Sequence, residues 1–240
     1  MIITTIVHGC PKCGSEALVK NGHDYKGSQK YWCQACNKYG TLIKQERRSE
    51  KEWVQIKRAV LERLSLRAME RIFEISRQTV NAYVVEWVAQ LPDLEDTLVA
   101  AEWEDVLELD ELWSFVLRKD QQRWLWVALC RRTRQIVAYY IGDRSQASCR
   151  KLWQRLPRTY THCRSFSDFW QAYQLIFDRR KHTCVGKDSG QTAHVERWFC
   201  TLRQRLARFV RKTLSFSKLD KFHQAFTRLF IHHYNLSCIS

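Results

Sequence analysis

The 240-residue sequence lacks the features that mark membrane, secreted or disordered proteins. Its apolar runs fall far short of the roughly 18 residues that a membrane-spanning helix needs, so no membrane span is expected. The first ten residues, MIITTIVHGC, contain neither a basic segment nor a long apolar stretch, which argues against a secretory signal. Low-complexity tracts and internal repeats are absent as well. Hydrophobic residues make up 45% of the chain, which is enough to build a packed core.

Acidic residues are scarce in the C-terminal half of the chain. Residues 1–100 contain 15 basic and 12 acidic side chains, whereas residues 112–240 contain 25 basic and only 7 acidic ones. The second region therefore has a net charge of +18. Such an excess favours a polyanionic partner, of which nucleic acid is the simplest. The alternative is a generic basic surface. The few acids that remain in this region are informative.

Disulfide bonds are not expected, although the chain has ten cysteines. Two CxxC pairs, Cys10/Cys13 and Cys33/Cys36, are separated by 19 residues. Each pair can present two thiolates from one tight turn, and a tetrahedron of four sulfur ligands suits Zn²⁺. The spacing predicts a structural zinc ribbon over residues 1–44. His8 and His23 are alternative candidate ligands, but surface or packing roles are favoured for them. The other cysteines are expected to be small buried side chains in a reducing cytosol: Cys130, Cys149, Cys163, Cys184, Cys200 and Cys238.

Residues 52–91 have the apolar spacing of helices. Ser65 and Ser76 are suited to cap the second and third of three helices. Two short helices, a tight turn and a polar start to the third helix predict a helix-turn-helix domain over residues 45–95. The alternative is an ordinary three-helix packing unit. In the helix-turn-helix interpretation, the third helix presents polar side chains to base edges in the major groove: Arg77, Gln78 and Asn81.

Segments with strand and helix patterns predict a mixed α/β sheet over residues 104–240. Strands are expected at 105–117, 124–130 and 135–141, joined by short polar links as consecutive hairpins. A helix over 145–156, a fourth strand over 163–167 and another helix follow. A final helix is predicted to begin after Thr192 and to run through Lys212, with a core stripe formed by Trp198, Leu202, Leu206 and Phe209.

Three carboxylates of this region can meet at one place. Asp110 is expected within a strand, Asp168 at the exit of the fourth strand and Glu196 near the start of the last helix. Converging carboxylates can hold two divalent cations that assist phosphoryl transfer, and oxygen ligands favour Mg²⁺ or Mn²⁺ over Zn²⁺. For Glu196 the alternative is a local counter-ion, while Asp105 and Asp178 are expected to be solvated charges. Basic side chains after Glu196 are expected to contact the DNA backbone: Arg197, Arg203, Arg205, Arg208, Arg211 and Lys212.

The sequence resembles the transposases of the insertion-sequence-one family over essentially its whole length. The matching stretches are LELDELW at 107–113, SDFWQAY at 167–173 and HVERWFCTLR at 194–203. The resemblance implies a zinc finger and a helix-turn-helix domain joined to a ribonuclease-H-like catalytic domain, in which Asp110, Asp168 and Glu196 bind the catalytic metal ions.

The resemblance also implies a function and a cellular location. The function is binding to the terminal inverted repeats of an insertion sequence, strand cleavage there and strand transfer into target DNA. Synapsis of two ends makes a homodimer or a higher oligomer on DNA the expectation, in the cytoplasm of a bacterial-type cell and associated with the nucleoid. Two other functions stay open. One is a sequence-specific DNA-binding regulator without catalytic activity, and the other is a nuclease of the same fold that cleaves without joining.

Overall fold

The structure is a computed structural model that describes residues 7–24, 27–42 and 48–239. It separates into two compact units, Met1–Trp53 and Val54–Ser240. The predicted boundary between residues 44 and 45 lies outside the described residues. The division into three domains therefore stays a prediction.

The first unit contains a three-stranded antiparallel sheet. Its strands are β1 (Leu18–His23), β2 (Gln29–Cys33) and β3 (Tyr39–Thr41), in that order across the sheet. Gly14 and Asn37, which directly follow the two CxxC pairs, have φ angles of 74° and 55°. These left-handed conformations let each pair of cysteines turn back toward a common point.

Three helices follow, as the apolar spacing predicts. They are α1 (Glu50–Val60), α2 (Leu66–Phe73) and α3 (Arg77–Ala89). Both predicted caps are confirmed, because the hydroxyls of Ser65 and Ser76 accept hydrogen bonds from backbone N–H groups three residues ahead. The link between α2 and α3 is three residues long and starts with Glu74 in the left-handed region.

A mixed sheet forms the centre of the second unit, as predicted, and it has five strands instead of the four expected. The strands are β4 (Val106–Val116), β5 (Arg118–Cys130), β6 (Ile136–Gly142), β7 (Arg164–Ser167) and β8 (His182–Cys184). Their order is β6-β5-β4-β7-β8, with antiparallel pairs on the β6 side and parallel pairs on the β8 side of β4. The last strand was not predicted, because three residues are too few to show an alternating pattern.

Helices cover both faces of this sheet. They are α4 (Gln146–Gln154), α5 (Gln171–Ile176), α6 (Ala193–Arg205) and α7 (Asp220–Ser237). Leu109 of β4 belongs to the buried core formed with Trp126 and with Tyr173 of α5. On the other face, Glu108 binds the start of α6 and Ser114 binds His223 of α7. Alternate residues of β4 therefore serve two different layers.

The prediction of one long helix from residue 192 to residue 212 is wrong. Helix α6 ends at Arg205, because Leu206 adopts extended backbone angles (φ −117°, ψ 108°). A short 3-10 turn, Ala207–Phe209, follows. The carbonyl of Arg205 accepts the N–H of Arg63 at 2.7 Å, so this end of α6 binds the link between α1 and α2. None of the helices in the described ranges is long and apolar enough to cross a lipid bilayer.

Two further expectations about single residues are wrong. Asp105 is buried rather than solvated, because its two carboxylate oxygens accept hydrogen bonds from Arg132 at 2.7 and 2.9 Å. Cys200 is exposed, because the buried stripe of α6 is formed by Val195, Trp198 and Leu202. Cys130, Cys149 and Cys163 are buried as expected, whereas Cys184 and Cys238 are only partly so.

Candidate active site and cysteine cluster

The four cysteines of the CxxC pairs form one cluster. Their sulfur atoms all lie within 4.8 Å of one another, and Cys10–Cys36 and Cys13–Cys33 are each 3.6 Å apart. In the part of the chain that the structure describes, no other set of three or more potential ligand residues is this close. The pKa of Cys10 is lowered to about 6, mainly because the backbone N–H of Lys12 donates a hydrogen bond to its sulfur. A thiolate at this position suits a metal ion, and a complete set of four sulfurs fits Zn²⁺.

The three predicted acidic residues lie on neighbouring elements of the second unit. Asp110 lies in the middle of β4, Asp168 directly follows the adjacent parallel strand β7, and Glu196 lies in the first turn of α6. The pKa of Asp110 is raised to about 7, first by burial, then by the charge of Glu111 and then by those of Asp168 and Glu196. Asp168 and Glu196 therefore lie close enough to Asp110 for their charges to raise its pKa.

The carboxylate oxygens of these residues have few partners. Asp110 accepts the N–H of Glu111 at 2.8 Å, Asp168 accepts the N–H of Trp170 at 2.9 Å, and Glu196 accepts the hydroxyl of Thr192 at 3.0 Å. Among the described residues none of the three forms an ion pair, and their oxygens are not all within 4.8 Å of one another. This arrangement leaves oxygen atoms available to hard divalent cations, which take oxygen ligands.

One of the predicted DNA-binding arginines, Arg203, lies near Asp110, and Arg211 lies near Arg203. Burial lowers the pKa of Arg203, and the charge of Arg211 lowers it further, while the charge of Asp110 raises it. The Nε atom of Arg203 is buried without a partner among the described residues. Arg197 and Lys212 are exposed. Cations close to a carboxylate cluster, yet not paired with it, can bind a phosphodiester that approaches the acids.

Two other arginines are engaged inside the fold. Arg205 donates to Glu62 at 2.6 Å and lies over the ring of Phe230. Arg208 donates to Ser217 at 2.9 Å, and its guanidinium carbon lies 3.6 Å from the ring centroid of Phe226. Burial lowers the pKa of Arg208 to about 10. In this structure both side chains bind groups of their own unit, and the Arg205 side chain is 31% exposed.

The residues predicted to read bases lie at the start of α3. Arg77 and Gln78 are exposed, and Arg77 is 3.2 Å from Glu70 of α2 in a partly exposed ion pair. Asn81 is half-buried, and its Oδ1 atom has no partner among the described residues. The exposed pair at the helix start is available to a ligand.

Sequence reasoning missed the importance of the two glutamates that flank Asp110. The side chains of Glu108 and Glu111 are 0% and 1% exposed, and each forms an ion pair with an arginine, Arg131 and Arg144 respectively. A charged residue within an otherwise apolar strand is the signal that could have indicated them, because a buried charge requires a partner.

Comparison with known proteins identifies the family. The family model described as IS1 transposase matches residues 105–236. The insertion element iso-IS1n protein InsB of Shigella dysenteriae is 37% identical over 126 residues, which are 52% of this chain and 93% of that protein. The insertion element IS1 protein InsB of Shigella flexneri is 35% identical over 116 residues, 48% of this chain and 86% of that protein. The chain therefore belongs to the IS1 transposase family.

Proposed function

We propose that this chain binds the terminal inverted repeats of an insertion sequence, cleaves DNA at the element ends and transfers the freed 3′-hydroxyl into target DNA. Both reactions are phosphoryl transfers with in-line attack, and they differ only in the nucleophile, which is water in the first and a 3′-hydroxyl in the second. Membership of the IS1 transposase family supports an enzyme that acts on DNA.

The observation that carries this proposal is the placement of Asp110 on β4, Asp168 at the end of the adjacent parallel strand β7 and Glu196 in the first turn of α6, with the charges of the last two raising the pKa of the first. These residues come from three different elements, yet their charges act on each other. Neighbouring like charges that form no ion pair among the described residues disfavour their own ionisation, and a bound divalent cation would offset that repulsion. We therefore assign Asp110, Asp168 and Glu196 as the metal-binding and catalytic residues.

The donor set fits Mg²⁺ or Mn²⁺, because it consists of carboxylate oxygens only. When bound, such ions activate the attacking hydroxyl and stabilise the charge on the leaving 3′ oxygen. The chain itself contributes position and charge. Arg203 and Arg211 hold the phosphodiester beside the acids, and the exposed Arg197 and Lys212 extend the contact with the DNA backbone.

The sheet supports a ribonuclease-H-like fold for this unit. With β4 as the first strand, the order across the sheet is 3-2-1-4-5, with three antiparallel strands followed by two parallel ones. In such mixed sheets, sites form where neighbouring parallel strands end, which is the position of Asp168. The cysteine cluster is proposed to hold a structural Zn²⁺.

Sequence-specific binding is assigned to α2 and α3 as a helix-turn-helix. The short link, the two capped helices and the exposed Arg77 and Gln78 at the start of α3 support it. Asn81 is assigned to the same surface. The working state is a homodimer or a higher oligomer that holds two element ends, in the cytoplasm with the nucleoid.

The test is cleavage and joining of labelled DNA that carries the native flanks of this gene, with Mg²⁺, Mn²⁺ or EDTA. The wild type is compared with Asp168→Asn and with a matched control, Asp178→Asn. Asp178 lies outside the site and forms an ion pair with Arg180, two residues later in the chain. We expect metal-dependent nicks and joined products from the wild type and the control, and neither from Asp168→Asn.

Three other outcomes would contradict parts of this proposal. Nicks without joined products would indicate a nuclease of the same fold. End-specific binding without cleavage would indicate a regulator. Cleavage by Asp168→Asn would remove Asp168 from the catalytic site.

A further inference from the structure

Glu108 is a fully buried carboxylate that no step of the proposed reaction uses. It lies in β4 two residues before Asp110, and its side chain is 0% exposed. Residues two apart in a strand share a face and are about 6.7 Å apart. Glu108 and Asp110 therefore point toward the same layer, which contains α6.

The partners of Glu108 lie in the first turn of α6. One carboxylate oxygen, Oε2, accepts the backbone N–H groups of His194 and Val195 at 2.9 and 3.1 Å. The other, Oε1, is 2.6 Å from Nδ1 of His194 and accepts a hydrogen bond from Nε of Arg131 at 2.8 Å. Both oxygens are thus used, and four donor groups surround one carboxylate.

This carboxylate replaces the cap that α6 does not supply from its own sequence. Thr192 occupies the N-cap position, but its hydroxyl donates to Glu196 instead of accepting from a first-turn N–H group. The free N–H groups at the start of a helix need acceptors, and a negative charge there also interacts favourably with the helix dipole. Glu108 meets both needs from another element.

Arg131 fixes the same junction from a second side. Its Nη2 atom donates to the backbone carbonyl and to the side-chain oxygen of Gln191, both at 2.9 Å. Its guanidinium carbon lies 5.2 Å from the ring centroid of Phe166 in β7. The Glu108–Arg131 pair therefore connects β4, β7 and the residues that lead into α6.

We infer that Glu108 is a positioning residue that holds Glu196 in register with Asp110. This inference rests on the proposed function of those two acids. Glu196 directly follows Val195, whose N–H group binds Glu108, and Asp110 is two residues from Glu108 on the same strand. Asp110 and Glu196 are thus connected through two residues of β4, one residue of α6 and the hydrogen bonds of Glu108. Loss of these bonds frees the first turn of α6 and with it the Glu196 carboxylate.

The test compares Glu108→Gln with Asp105→Asn. Both variants remove one charge from a carboxylate that is 0% exposed and paired with a single arginine. Asp105, however, binds Arg132 and the N–H of Glu102, and it makes no hydrogen bond to α6. The full-length protein is titrated with Mn²⁺ by isothermal calorimetry, and thermal unfolding and end cleavage are measured on the same samples.

We expect Glu108→Gln to weaken Mn²⁺ binding by about 10- to 100-fold, the range seen when residues that support metal ligands are changed. Cleavage falls in parallel and recovers in part at high Mn²⁺. Asp105→Asn loses a similar amount of thermal stability but keeps its Mn²⁺ affinity within about twofold of the wild type, which is well below that range. A general loss of packing would weaken Mn²⁺ binding in both variants alike. A loss of Mn²⁺ affinity in Glu108→Gln alone, at similar thermal stability, therefore indicates a positioning role of Glu108.

A second variant covers the case in which Glu108→Gln does not fold. Glu108→Asp keeps the charge but shortens the side chain by one methylene, so it cannot reach both the α6 N–H groups and Arg131. It is expected to bind Mn²⁺ less tightly than the wild type and more tightly than Glu108→Gln. Wild-type affinity in Glu108→Asp, or equal affinities in Glu108→Gln and Asp105→Asn, would overturn the inference.

Asp110→Asn distinguishes a failure of the proposed metal site from a failure of the Glu108 role alone. If Asp110→Asn binds Mn²⁺ as the wild type does, the acids do not hold the metal, and the proposed function and this inference both fall. If Asp110→Asn loses Mn²⁺ but Glu108→Gln does not, only the positioning role of Glu108 is wrong.

Discussion

Glu111 and Arg144 form an ion pair on the face of β4 opposite to Asp110, with the glutamate side chain buried and the arginine side chain 38% exposed. Nε and Nη2 of Arg144 both donate to Oε1 of Glu111, at 2.9 and 2.7 Å. The hydroxyl of Tyr173 donates to Oε2 at 2.8 Å. Burial raises the pKa of Glu111, whereas the hydrogen bonds from Tyr173 and Arg144 lower it. The pair therefore joins β4 to α5 and to the end of β6.

The same arginine reaches the turn that carries Asp168. The Arg144 guanidinium carbon lies 4.6 and 4.3 Å from the ring centroids of Trp124 and Trp170. Such contacts stabilise a cation over aromatic faces. The backbone N–H of Trp170 in turn donates to Asp168. Two buried glutamates thus flank Asp110 in the sequence, one linked toward Asp168 and the other toward Glu196.

We predict that Glu111→Ala lowers the free energy of unfolding by about 1–3 kcal/mol, because Arg144 and Tyr173 lose a buried acceptor. Urea unfolding followed by tryptophan fluorescence measures this change. Asp120→Ala is the control, since its pair with Arg118 is about two-thirds exposed on both sides and contributes little. Equal losses in the two variants would contradict the structural role of Glu111.

Removal of zinc is expected to abolish specific binding to element ends. Three short strands bury too little apolar surface to be stable alone, so the cysteine cluster must hold the first unit together. Cys33→Ser should contain less zinc by atomic absorption and should lose its preference for end sequences in gel-shift titrations. Cys200→Ser, which changes the exposed cysteine of α6, should keep one zinc per chain. Undiminished end binding by Cys33→Ser would exclude this role.

Substitutions at the start of α3 are expected to reduce specificity. Arg77→Ala and Gln78→Ala should each lower the preference for the end sequence over random DNA by about 1–3 kcal/mol, the value of a bidentate base contact. Competition binding with both DNAs gives this difference. Arg71→Ala, on the exposed side of α2, is the control. If affinity for both DNAs falls equally, the side chain contacts phosphate instead.

Substitutions of Arg203 and Arg208 are expected to have different effects, the first on DNA binding and the second on stability. Arg203→Ala should weaken DNA binding and reduce the slope of log affinity against log salt by about one, because one phosphate contact is lost. Arg208→Ala should leave that slope unchanged and lower stability, because it loses the contacts with Phe226 and Ser217. A reduced salt slope in Arg208→Ala would show that this side chain leaves its internal partners to bind DNA.

Acid should remove the stability that two buried histidines contribute to the second unit. Burial lowers the pKa of both His182 and His223 to about 4, and the charge of Arg208 adds to the effect on His223. The unfolded chain, with ordinary histidines near 6.5, binds more protons between pH 6.5 and pH 4. The stability that these two neutral histidines contribute is therefore complete above this window and is lost as the pH falls through it.

Urea unfolding at pH 7.5, 5.5 and 4.5 measures this loss. A double variant, His182→Gln with His223→Gln, should lose less stability than the wild type between the first and last pH. Any release of metal from the cysteines occurs in both proteins and cancels in the comparison. Parallel curves for the two proteins would show that these histidines do not govern the acid response.

Local features of this protein follow from short stretches of sequence. The CxxC spacing determines that the sulfurs of each pair can meet, and the positions of Ser65 and Ser76 determine where two helices begin. Alternation identified the long strands of the sheet, and the acid-bearing stretches indicated the family. Each of these features depends on neighbours only a few residues away, so sequence alone suffices to predict it.

Other properties were decided by the tertiary structure. Alternation places Glu108 and Glu111 on opposite faces of β4, but only the packed helices show that both carboxylates are enclosed and paired. Likewise, Arg205 and Arg203 look alike in the sequence, yet one binds Glu62 and the other lies beside Asp110. A charge acquires its role from groups that are distant in the chain, because burial and pairing depend on what covers it.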